Sequence, residues 1–104
     1  MRFRVKIAAS AVADIDAAAD YIAQFSPVAA ARWYRGAYER IATLADFPRR
    51  CGMAPEAAAF GKEIRHLMYG SRRNAYRIIF SIEGPNRVDV LYVRHGRRDA
   101  VRTS

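Results

Sequence analysis

Cysteine, lysine and histidine are scarce in this 104-residue chain, and each scarcity excludes something. Cys51 is the single cysteine, so there is no intrachain disulfide and no cysteine-based metal site. Only His66 and His95 have side chains that ordinarily titrate near neutrality, and neither metal nor cofactor is expected. Lysine occurs only as Lys6 and Lys62, which leaves 16 of the 18 basic residues as arginine. Arginine supplies charge, but with a pKa above about 12 it is a poor proton donor or acceptor. Long apolar runs are missing as well. Met1 to Ala8 alternates instead of forming the apolar core of a signal peptide. No stretch approaches the roughly 20 residues that span a bilayer, so no membrane association and a reducing, cytoplasmic setting are expected.

What is present is arginine, unevenly placed. Residues 1–60 hold eight Lys+Arg against six Asp+Glu (+2), and residues 61–104 hold ten against four (+6). A GC-rich genome raises arginine and alanine together and accounts for the Arg/Lys ratio equally well, but not for the clustering. The 52% apolar content is ordinary for a globular protein, and the length fits one domain, residues 1–104.

Arg2–Ile7 alternates polar with apolar and reads as a strand with Phe3, Val5 and Ile7 on one face. Ser10 is the expected N-cap of a first helix, with Asp14 near its positive end and Val12, Ile15, Ala19, Ile22 and Phe25 at helical spacing. Ser26-Pro27 ends that helix and starts a second, with serine as cap and proline at the first helical position. Ala30, Tyr34, Ala37, Tyr38, Ile41 and Leu44 make its apolar stripe, and Pro48 stops it. So short a link predicts an antiparallel helical hairpin. Residues 48–61 show no period and read as a loop.

Ile64–Gly70, Ala75–Ile82 and Val88–Val93 read as three strands, the last two joined by the Gly84-Pro85-Asn86 turn. The order β-α-α-β-β-β predicts an α+β fold: a helical hairpin packed on one face of a small, mostly antiparallel sheet. The other face is then partly open, with Arg77 pointing to it if Tyr76, Ile78 and Phe80 point to the helices. Arginines lie within or beside every strand of the C-terminal half. Such a sheet calls for an anionic partner, either a phosphate backbone or an acidic protein surface.

Several residues have plain structural readings. Trp33, Tyr34 and Tyr38 sit at helical spacing and are expected in the core or at hairpin contacts. Glu56 is expected to be a loop surface charge, and Glu63 a cross-strand ion-pair partner of Arg65. Cys51 is expected to be incidental, with a disulfide to a second chain left open. His66 and His95, at or near strand ends, are expected to satisfy backbone carbonyls.

The order of these motifs resembles the RelE/ParE superfamily of toxins from bacterial type II toxin–antitoxin (plasmid stabilization) modules. The resemblance rests on Ala13-Asp14-Ile15, Ser26-Pro27, Phe47-Pro48, Ile64-Arg65-His66-Leu67, Tyr76-Arg77-Ile78-Ile79-Phe80 and Val93-Arg94-His95-Gly96-Arg97-Arg98, and covers nearly the whole chain. It implies a cognate antitoxin, a small protein from the same operon that wraps the toxin. The free toxin is expected to be capable of forming a homodimer through its uncovered apolar hairpin stripe. The superfamily contains two kinds of member. RelE-like members look like ribosome-dependent mRNA endoribonucleases; ParE-like members share the fold but act on DNA gyrase.

Cutting RNA needs a base, an acid and cations for the phosphorane charge. By resemblance Arg77 and Arg98 (or Arg97) match two arginines of the RelE-like set. Arg65 stands where a lysine is expected, and the chain ends Val101-Arg102-Thr103-Ser104 without the expected tyrosine. His66, Arg77, His95 and Arg98 are therefore the candidate catalytic residues, but the set is incomplete. The ParE-like reading, a gyrase inhibitor with no proton transfer of its own, is preferred. In that reading Arg65, Arg72, Arg73, Arg77, Arg94, Arg97 and Arg98 bind antitoxin or target. The alternatives are the mRNA endoribonuclease and a basic nucleic-acid-binding module. Against the last, Tyr76 and Phe80 read as core, not as a base-stacking surface.

Overall fold

A computed structural model describes residues 2–71 and 73–96 of the chain. The elements are β1 (Arg4–Ile7), α1 (Ala9–Ala23), α2 (Pro27–Ala42), a short α3 (Ala57–Phe60), β2 (Ile64–Tyr69), β3 (Tyr76–Glu83) and β4 (Arg87–His95). The four strands form one sheet in the order β1-β4-β3-β2. β1 runs parallel to β4, and the other pairings are antiparallel. The α+β arrangement expected from the sequence is the one observed.

The core lies between the helical hairpin and one sheet face. Ala11 and Ile15 from α1 and Ala37 and Ile41 from α2 meet Ile78, Phe80, Val88 and Val90, and Phe3, Val5 and Ile7 pack against the edge of this cluster. The α2 stripe is the expected one except at Tyr34: Ala30, Ala37, Ile41 and Leu44 are buried and Trp33 and Tyr38 pack against the core, whereas Tyr34 is exposed. Gly36 makes room here for the Tyr69 ring. A Cβ at this position would sit 2.2 Å from the Tyr69 hydroxyl oxygen, and that hydroxyl donates to the Trp33 carbonyl at 2.8 Å.

Ser26 caps α2 as expected, with extended backbone (φ −159°) and its hydroxyl accepting from the Ala29 N–H at 3.1 Å. Ser10 does not cap α1. The helix begins at Ala9 with Ala8 as an N-cap that offers no side-chain bond. The Ser10 hydroxyl instead donates to the Leu91 carbonyl at 2.6 Å, and the Asp14 carboxylate accepts from the Val93 N–H at 2.9 Å. β1 ends opposite Val90, so the edge of β4 beyond it lacks a strand. Two side chains of α1 take over part of the hydrogen bonding that a strand would supply.

The register of β3 with β4 slips between Ile79↔Tyr92 and Phe80↔Val90, leaving Leu91 as a bulge. Leu91 and Tyr92 both turn to the face away from the hairpin, and Val88, Val90 and Val93 all keep to the core.

α2 ends at Ala42, short of the expected stop at Pro48. A 3₁₀ turn follows over Thr43–Ala45, then Phe47 and a second turn over Pro48–Arg50. One guanidinium gathers this corner: Arg50 Nη1 donates to the carbonyls of Thr43, Asp46 and Phe47 (3.3, 2.7 and 3.3 Å), and Nη2 to the Thr43 hydroxyl (2.8 Å). Phe47 itself has φ 48° and ψ 63°, left-handed backbone that costs a non-glycine residue about 1–2 kcal/mol.

The sheet face away from the hairpin is less open than the alternation of β3 suggested. Gly52–Gly61 folds over it. Ala54, Ala57 and Phe60 join Ile64 and Ile79 in a second small core, and the Ala54 N–H donates to the Ile64 carbonyl at 2.8 Å. The stretch that read as an aperiodic loop is thus a strap fastened across β2 and β3.

Candidate functional site

Arg77 does point away from the hairpin, but beneath the strap it is 8% exposed. Its guanidinium grips Glu56 with two bonds, Nη2 to Oε2 at 2.5 Å and Nη1 to Oε1 at 3.1 Å. Glu56 is 8% exposed and so is no surface charge. The strap carries it onto the sheet, and no periodic signal in the sequence marks that placement. Nη1 also lies 3.2 Å from His66 Nδ1. Arginine has only protons to offer, so Nδ1 accepts and the His66 proton sits on Nε2. Burial, and then the Arg77 charge, lower the His66 pKa, so it is neutral near pH 7. His66 lies third of six residues in β2, not at a strand end. A fixed guanidinium, a paired carboxylate and a neutral imidazole in a nearly dry place make a structural clasp.

His95 closes β4, with its ring edge against Tyr76 at 5.4 Å between centroids. The two histidines occupy different sheet faces, since His95 is in register with Tyr76 and His66 lies beside Arg77. Arg97, Arg98 and Arg72 lie outside the described residues. Arg73 is exposed in the turn between β2 and β3. Arg94, in register with Arg77, reaches the sheet edge, where Nε lies 3.3 Å from the Asp14 carboxylate and the guanidinium carbon 5.2 Å from the Tyr92 ring centre. Its Nε is not aligned for a hydrogen bond, so the contact is an ion pair only.

Arg65 donates to the Cys51 carbonyl (2.6 Å) and to Glu63 (2.9 Å). Glu63 also takes both bonds of Arg49 at 3.0 Å. The expected ion pair with Arg65 is thus present, but Glu63 lies just before β2 on the same segment as Arg65, so the pair runs along the chain and not across strands. Arg49 first, then Arg65, holds its carboxyl below the usual range despite some desolvation. Cys51 is buried, and burial pushes its thiol pKa up, which disfavours both reactivity and a disulfide to another chain.

A concave surface lies elsewhere, where the hairpin tip meets the ends of β3 and β4. Two adjoining grooves of about 400 and 420 Å³ share Tyr21 and Tyr76. One is walled by Asp14, Ala18, Arg94 and His95. The other is walled by Ile22, Phe25, Trp33, Gly70, Ser71 and Asn74. Tyr21, Phe25 and Val28 stand 54%, 74% and 68% exposed at the rim, so the apolar surface continues outward from the grooves. Phe25, expected on the apolar stripe of the first helix, instead lies beyond the end of α1 at Ala23, and its ring meets that of Tyr21 edge to face at 5.4 Å. Among the described residues, no group of three or more His, Cys, Asp or Glu is arranged to hold a metal ion, and no helix is long and apolar enough to cross a membrane.

Comparison with known proteins adds three findings. The family described as "ParE toxin of type II toxin-antitoxin system, parDE" matches residues 5–100. Among solved structures, "Chromosomal ParDE TA system from P. aeruginosa" is similar in fold, with TM-score 0.69 and 21% identity over 90% of this chain and 96% of that one. Among curated sequences, maturase K of Pseudotsuga menziesii is 38% identical over 50 residues (48% of this chain, 9% of that protein). Maturase K of Pinus pinea is 28% identical over 81 residues (78% of this chain, 14% of that protein). This chain spans less than a sixth of those relatives' length, so the likeness is confined to a small piece of each.

Proposed function

Because the chain belongs to the ParE toxin family of type II toxin–antitoxin systems, we propose that it inhibits DNA gyrase by binding and is neutralised by a cognate antitoxin seated at the hairpin tip. The observation that carries the choice of gyrase over mRNA is the clasp. The arginine that resemblance offers for phosphorane stabilisation is bound to Glu56 under a strap, and the imidazole beside it is neutral and spent as an acceptor. RNA cleavage needs such groups free to meet the scissile phosphate. A binding toxin needs only a surface.

The hairpin-tip grooves suit the antitoxin. They offer exposed aromatic surface for the apolar stripe of a helix, with Arg94 in one wall for a carboxylate. The same uncovered patch supports homodimer formation by the free toxin. A cytoplasmic site of action follows from a gyrase target.

The test is plasmid supercoiling by purified gyrase with added antitoxin-free protein. Loss of supercoiling together with protein-linked DNA breaks is expected. Normal supercoiling, combined with ribosome-dependent cleavage of mRNA, would transfer the protein to the endoribonuclease class. DNA or RNA binding with neither effect would make it a nucleic-acid-binding module.

A further inference from the structure

Phe47 has two unfavourable properties that the fold does not repay. Its backbone is left-handed (φ 48°), where glycine or asparagine is the ordinary choice, and it directly precedes a proline, which favours extended backbone instead. Its ring is 68% exposed and belongs to neither hydrophobic cluster. The corner is nonetheless held rigid: Arg50 bonds the carbonyls on both sides, Pro48 behind it is buried, and the Arg2↔Asp46 bridge ties it to the N-terminal segment. A rigid turn therefore presents an aromatic ring to solvent. Strain that the surroundings enforce and packing does not use is characteristic of functional positions.

We propose that Phe47 is a recognition knob that inserts into an apolar pocket of the toxin's target protein. This proposal rests on the reading that the chain is a toxin acting on a protein. The partner is a protein, not a nucleic acid, because the cations around the ring are already engaged. Arg49 is bound to the Glu63 carboxylate, Arg2 faces Asp46, and Arg50 keeps its charge but spends its donors inward on the carbonyls of the corner, so the ring itself offers a partner only apolar surface. The partner is the target, not the antitoxin, because α2 separates the knob from the hairpin tip. Its 16 residues put about 24 Å between the two surfaces. The toxin can thus be held at one end and engage its target at the other.

Asparagine tolerates left-handed backbone, so Phe47→Asn removes the ring without endangering the fold. The expected result is a melting temperature unchanged or a few degrees higher, unchanged antitoxin affinity, and roughly tenfold or greater loss of gyrase inhibition. Phe47→Tyr, which keeps the ring, should retain potency within about threefold. Full potency in Phe47→Asn overturns the proposal. So does a loss of antitoxin binding with potency intact, or DNA binding that depends on Phe47 in the absence of gyrase. Growth arrest on induction separates the two levels of inference. A parent protein that stops growth without touching gyrase refutes the gyrase reading alone. The knob then stands if Phe47→Asn relieves the arrest and falls if it does not. A parent that does not stop growth sinks both.

Discussion

Glu56→Ala tests whether the clasp holds the strap. Among the described residues, the substitution leaves the buried Arg77 guanidinium with the His66 nitrogen as its hydrogen-bond partner. Removing one partner of a buried pair costs about 3–5 kcal/mol, a large share of the roughly 5–15 kcal/mol that holds a domain together. Arg77→Glu is harsher, since it sets a second carboxylate against Glu56 and should leave the protein unfolded. Replacing both partners by apolar groups, Glu56→Leu with Arg77→Met, removes the desolvation cost along with the attraction and should fall within about 1 kcal/mol of the parent or be more stable. Urea unfolding followed by the fluorescence of Trp33, the single tryptophan, reads all three. With a slope near 1.5 kcal/mol/M the Glu56→Ala midpoint drops by roughly 2–3 M. A drop under about 0.5 M would show that the pair is neither dry nor fastening anything, and the argument from a sequestered Arg77 would go with it. The double variant carries the functional corollary. It should still inhibit gyrase, whereas a ribonuclease that relied on Arg77 would be inactive.

Gly36→Ala sets about 1 kcal/mol of gained helix propensity against displacement of the Tyr69 hydroxyl from the Trp33 carbonyl. A net loss of about 1–3 kcal/mol is expected in the same urea assay, smaller in a Tyr69→Phe background; a stabilised Gly36→Ala would refute the close approach. The depressed His66 pKa gives a pH signature. The unfolded imidazole takes up a proton at its ordinary pKa near 6.5, the folded one only at lower pH. Stability should therefore fall on acidification below about pH 6.5 until the folded pKa is passed, and His66→Gln should flatten that slope. Equal slopes in parent and variant would remove His66 from the clasp.

Most of the fold was legible because its signals are local. Tyr76–Ile82 alternates, Ser26-Pro27 has the chemistry of a helix start, and Gly84-Pro85-Asn86 turns the chain. What was not legible depends on partners distant in sequence. Ser10 looks like a cap, but the open edge at Leu91, 81 residues away, claims its hydroxyl. Glu56 looks like a loop charge because nothing in Pro55-Glu56 announces that Arg77 waits beneath. The bulge at Leu91 breaks no periodicity that a run of valine, leucine and tyrosine makes visible. The arginines read correctly as the dominant feature, but as free cations. In the structure Arg49, Arg50, Arg65 and Arg77 are largely consumed in holding turns and strap together. Phe47 was visible only as part of a motif, since a left-handed backbone has no signature in a Phe-Pro pair.

The placement of β1 beside β4 also has a consequence for synthesis. Arg4 pairs with Arg87 and Ile7 with Val90, and the bonds from Ser10 and Asp14 end on Leu91 and Val93. Apart from the Arg2 and Phe3 bonds to Asp46 and Ala45, the ties that place β1 and the start of α1 are therefore made to β4 and the turn that leads into it. Contacts this far apart in sequence close late and slowly. While the ribosome is still working through the middle of the message, the nascent chain has a helical hairpin without its floor and a first strand without a neighbour. Translation thus acts as a safety catch, because the sheet closes only after β4 has been made.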